Sequence, residues 1–255
     1  MRILLGLAAL TVCLAMPVEA ASVDAAKVAE VRAASEAFVA LAKTTPQAPP
    51  RQSDPAVRAA FDVLFDTSVL EEGDPLPLAD LANAHAWAAA VLKVGTIYLF
   101  AGTGITDPSQ IPVDPGLIQT INRNATLYAP EIGRYVDTQL KLAAAILDAV
   151  DRPIKILTRE QRDQPRTRQS LAQIRHITAR ALAGALHLVT CEEISESWRR
   201  ARLAPLLALA SRTGTILSPE LAAAIRAKTL VAAATMKDPV IRTALNQAAA
   251  ALAPR

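Results

Sequence analysis

Val28, Val31, Ser35, Phe38 and Ala42 recur at alternating intervals of three and four, which puts them on one stripe of a helix spanning residues 22–43. The same rhythm returns in nearly every later segment. No window sustains the period-two alternation and β-branched enrichment of a strand, so the chain is expected to be all-α with no significant sheet. Aromatic residues make up only 4 % of a chain that is 52 % hydrophobic, so burial has to come mainly from aliphatic helix packing.

Proline punctuates the pattern. Residues 44–54 hold Pro46, Pro49 and Pro50 and read as a linker or extended strap. Asp54-Pro55, Ser218-Pro219 and Asp238-Pro239 each pair a capping residue with proline at a first helical position, which opens a helix. In the helix after Asp54, Val57, Phe61, Leu64, Phe65 and Ser68 form the expected buried face, while Arg58 is spaced to pair with Asp62. Residues 71–77 form a turn, 78–101 a core helix and 102–115 a loop. Two segments, 116–128 and 130–151, are expected to be kinked or broken at Pro130, with Asp137 and Lys141 at pairing distance. Residues 151–165 read as a charged connector, 166–194 as a long helix, and 196–212 as a helix bent at Pro205. The sum is an irregular bundle or short α-solenoid of about eight helices. Residues 21–255 are expected to form a single all-helical domain, and 152–165 is the place where it could divide.

The first 20 residues look different. Met1-Arg2 is positive, Ile3 to Ala15 carries no charge, Pro17 breaks the run, and Val18-Glu19-Ala20 ends it on small residues. This is the layout of a secretory signal peptide cut after Ala20. The apolar run, 13 residues long, falls short of the roughly 20 needed to cross a bilayer. The mature chain of 235 residues is expected to carry no transmembrane span, since Lys93 interrupts the long apolar stretch at 78–101. Export implies a periplasmic or secreted protein of the cell envelope.

Only Cys191 remains after the leader, so no internal disulfide is available. A net charge of +3 and a pI near 9.0 are too weak and too dispersed for nucleic-acid binding. In an exported protein they suit an envelope protein or an anionic surface as partner. No P-loop, H-E-x-x-H, G-x-S-x-G, calcium loop or haem-attachment motif is present. Asn124-Ala125-Thr126 fits a glycosylation acceptor.

One stripe stands out. On the helix 166–194, Leu171, Ile174, Ala181, Ala185, Leu188 and Val189 gather on one side. Gln169, Gln173, His176, Arg180, His187 and Cys191 gather on the other. Gln173, His176 and Arg180 form a candidate polar face. His187 and Cys191, at i and i+4, could share a zinc or copper ion with His85, or form an activated thiol. Glu192, Glu193 and Glu196 supply the carboxylates a glycoside hydrolase needs. Neither set is completed at recognisable spacing. The sequence therefore points to a non-catalytic binding or scaffold protein with no cofactor; a metalloprotein built on His187 and Cys191 and an envelope hydrolase built on the glutamates are the alternatives.

Overall fold

A computed structural model describes residues 23–253, apart from 46–47, 71–74, 113 and 115. The expected leader lies outside the described residues. These contain α-helices and short 3-10 turns and no strand. The helices are α1 (Ala25–Thr44), α2 (Pro55–Leu64), α3 (Leu81–Leu99), α4 (Gly116–Leu127), α5 (Ala129–Ile156), α6 (Arg159–Asp163), α7 (Pro165–Thr190), α8 (Glu196–Ala201), α9 (Leu203–Arg212), α10 (Pro219–Thr235) and α11 (Pro239–Ala251). The architecture is an all-α bundle with eleven described helices rather than about eight.

Proline and short polar side chains account for the extra boundaries. The segments around Pro130 are broken and not kinked: α4 ends at Leu127, and Pro130 sits in the first turn of α5, where its missing N–H has no intrahelical partner to lose. Pro205 breaks rather than bends. A continuous helix would drive its ring into the carbonyl of Ala201, and α8 ends at that residue. The expected connector at 151–165 is largely helical. Helix α5 continues through Pro153 to Ile156, and Thr158 and Gln161 form a reciprocal capping box that starts α6.

Helix α1 packs on α2 and α3, α3 on α5, and α5 on α7 and α9. Helix α9 then contacts α11, and α11 carries α10 on its outer side. The core of the first half is a run of rings in mutual contact: Phe38, Phe61, Phe65, Tyr98 and Tyr128, with centroids 4.8 to 6.0 Å apart. Ser68, expected on the buried face of α2, is exposed, because the helix stops at Leu64.

Long-range polar contacts tie these layers. Tyr98 Oη donates to the Pro50 carbonyl at 2.6 Å, and Gln52 N donates to Glu131 Oε1 at 3.0 Å, which fastens the proline-rich strap to the core. Asp62 meets Arg134 at 3.2 Å, a partner on another helix instead of Arg58 four residues away. Asp137 faces Arg202, between α8 and α9, at 2.8 Å. The Asn124 side chain is buried and donates to the carbonyls of Leu99 and Ala101, both at 3.0 Å. It is a staple between α4 and the end of α3, and its amide is not presented for glycosylation.

Candidate ligand-binding groove

Helix α7 has two faces, as its sequence requires. Ile174, Ala181, Ala185, Leu188 and Val189 are buried in the bundle, and Leu171 is partly buried. The opposite face looks across a gap at α10. Helix α10 packs mainly on α11 and only lightly on α7, so the two helices leave a groove of about 940 Å³ between them. The floor is aliphatic, formed by Leu186, Leu221, Ile225 and several alanines. Gly184 opens it further, since a Cβ built there would meet nothing within 4 Å.

The charge of the groove is one-sided. Arg175, Arg180 and Lys228 line it, together with His176 and His187, and the lining contains no Asp or Glu. None of these three cations forms an ion pair with a carboxylate among the described residues. Arg175 is held in place by its Nε, which donates to the Ile216 carbonyl at 2.8 Å.

The sequence-derived candidates are distributed as follows. His176, Arg180 and His187 all line the groove. Gln173 and Gln169 are exposed and lie outside its lining. His187 is partly buried, and its Nε2 is 3.0 Å from Asn122 Oδ1 on α4. Burial holds its pKa below the ordinary histidine value, against the opposing pull of Glu193. Cys191 leaves the stripe. Helix α7 ends at Thr190, and Cys191 turns out of the helix as its C-cap, 5 % exposed. Its Sγ donates to Glu193 Oε2 at 3.0 Å. Burial and the Glu193 carboxylate push the thiol up to about 12, so it stays protonated near neutral pH and is no activated nucleophile.

His85 sits on α3 with its Nε2 buried and without a hydrogen-bond partner, and burial lowers its pKa. It lines neither cavity that His187 touches. Among the described residues, no group of three His, Cys, Asp or Glu side chains is arranged to hold a metal ion. The three glutamates are also separated by role. Glu193 is committed to Cys191, Glu192 pairs with Lys237 at 3.4 Å, and Glu196 pairs with Arg200.

Half of the groove was not visible in the sequence. Helix α10 is so rich in alanine that it carries no marked apolar stripe, and Lys228 looks like any surface lysine until α7 is seen across from it. Comparison with known proteins gives no match to a family model, to a curated protein or to a solved structure.

Proposed function

We propose that this chain is a non-catalytic binding protein of the cell envelope that holds an amphipathic anion, a long aliphatic chain ending in a carboxylate or similar group, in the groove between α7 and α10. The observation that carries this reading is the pairing of an aliphatic floor with three cations that have no carboxylate partner. Ligand sites are typically clefts of roughly 300 to 1,000 Å³ with mostly apolar walls and a few placed polar groups. An apolar chain gains by leaving water, at about 0.8 kcal/mol per buried methylene. The cations would then orient its charged end. A neutral hydrocarbon would leave the cations unused, and a short hydrophilic anion would leave the floor wet.

The test is displacement of a fluorescent fatty acid from the purified chain by dodecanoate and by dodecanol. Dodecanoate should compete, with dodecanol about tenfold weaker for want of its charge. Gly184→Trp, whose side chain enters open space, should abolish binding. Failure of dodecanoate to compete, or unchanged binding by Gly184→Trp, would overturn the proposal.

The envelope address rests on the pattern of Met1 to Ala20. Protein recovered outside the cytoplasm should begin at Ala21. Protein retained inside with Met1 intact would remove the address and leave the groove untouched.

A further inference from the structure

The turn from α7 into α8 and the turn from α10 into α11 enclose a separate cavity of about 340 Å³. Glu192, Glu196, Arg199, Met236, Lys237 and Asp238 line it, and it shares no lining residue with the groove. Its unusual member is Arg199. This guanidinium belongs to a residue only 7 % exposed. Its one hydrogen-bond acceptor among the described residues is the thioether of Met236, 3.6 Å from Nη1. Its Nε is buried with no partner.

A thioether sulfur is a weak acceptor, and buried charges are ordinarily paired and hydrogen-bonded. The nearby carboxylates do not supply the pairing. Asp238 accepts from the backbone N–H groups of Val240 and Ile241 and from Arg200 Nε. Glu196 pairs with Arg200 and Glu192 with Lys237. Arg199 therefore lacks an anion, while Glu192 and Glu196 hold negative charge at the cavity edge on half-exposed side chains.

A simple anion would meet Arg199 but also three carboxylates. A simple cation would meet those carboxylates but also Arg199 and Lys237. A ligand with both signs a few bonds apart satisfies the whole lining. We propose that this cavity binds a small zwitterion, an α-amino acid, with its carboxylate on Arg199 and its ammonium group beside Glu192 and Glu196. The Met236 side chain offers an apolar wall to the amino acid's own side chain. This site stands independently of the groove.

The test is isothermal titration of the purified full chain with L-alanine and L-leucine, with acetate and ethylammonium as the two half-ligands. At least one amino acid should bind about tenfold or more tightly than acetate, because it engages both charges. Ethylammonium should bind more weakly than the amino acid by a similar factor. Arg199→Met, which replaces a buried cation by an apolar chain of similar length, should abolish amino-acid binding. If that variant does not fold, the combined Glu192→Gln and Glu196→Gln change serves instead, since both positions are half-exposed. That variant should bind the amino acid no better than acetate and bind acetate at least as tightly as the wild type does, since two like charges are gone. The proposal is overturned if neither amino acid exceeds acetate, if Arg199→Met binds like the wild type, or if the double glutamine variant keeps the preference.

Discussion

The ring of Tyr135 on α5 occupies the space that a side chain at Gly95 on α3 would need. Gly95 is buried near the C-terminal end of α3, within the helix, where glycine is the weaker helix former by about 1 kcal/mol relative to alanine. It is tolerated because it lets α5 approach.

Gly95→Ala should therefore destabilise the protein despite the better helix propensity. Overpacking costs about 1 to 3 kcal/mol and outweighs the propensity gain. The sign should reverse in a Tyr135→Ala background, where the added methyl enters vacated space. Thermal melts of the two single variants and the double variant form the necessary cycle. Equal effects of Gly95→Ala in both backgrounds would show that the ring does not set the spacing.

The stripes that build the bundle were legible because helix burial is periodic. The core side of α7 and the non-helical stretch at residues 48–54 could be read directly, and capping residues marked the starts of α2, α10 and α11. Other features depend on neighbours that no local pattern contains. Asp62 pairs with Arg134 and Asp137 with Arg202, partners far away in sequence that spacing within one helix cannot reveal. Cys191 fell off its expected stripe because the helix ends at Thr190 and not at residue 194. His176, Arg180 and His187 were legible as a polar face, but that the face was a groove wall depended on where α10 packs. Arg199 carried no signal at all, sitting in a run of arginines that reads as solvated surface.

The thiol of Cys191 should resist modification. Its pKa is raised from 9.0 to about 12 by burial and by Glu193. Native protein near pH 8 should react slowly with a thiol reagent and react at once after denaturation. The raised value also has a thermodynamic consequence. The unfolded chain loses this proton more readily, so the contribution is full below the unfolded pKa and is lost as pH rises from 9.0 toward 12. Cys191→Ala should show a shallower alkaline fall in stability than the wild type. Rapid native labelling would contradict the buried, Glu193-bonded thiol.

His85 and His187 predict the opposite dependence on the acid side. Both have pKa values lowered by burial, from an ordinary 6.5. The unfolded chain takes up these protons first, so their contribution is present above 6.5 and is lost as pH falls through the folded values. Denaturant midpoints should decline between about pH 7 and pH 5, before most carboxylates titrate. The combination of His85→Phe and His187→Gln should flatten that decline, since glutamine can still bond Asn122 and phenylalanine has no proton to gain. An unchanged slope would place the acid sensitivity elsewhere.

The groove cations should act unequally on a bound anion. Lys228 is exposed and Arg180 carries no ion pair, so each should contribute the modest energy of a surface contact, about 0.2 to 1 kcal/mol. Lys228→Gln and Arg180→Gln should each weaken dodecanoate several-fold at most, and the effect should shrink in high salt because the Debye length falls from about 10 Å at 0.1 M to about 3 Å at 1 M. Arg175 differs, since its Nε is already fixed on the Ile216 carbonyl at 2.8 Å. Less side-chain entropy remains to be lost when an anion docks on the same guanidinium, so Arg175→Gln should weaken dodecanoate more than either of the other two substitutions. It should also lower the melting temperature of the empty protein, because it deletes the link from α7 to the turn before α10. Titrations at two salt concentrations, with melts of the same samples, separate the two roles. Equal effects from all three substitutions would mean that the anion is held by diffuse charge and not by a placed guanidinium.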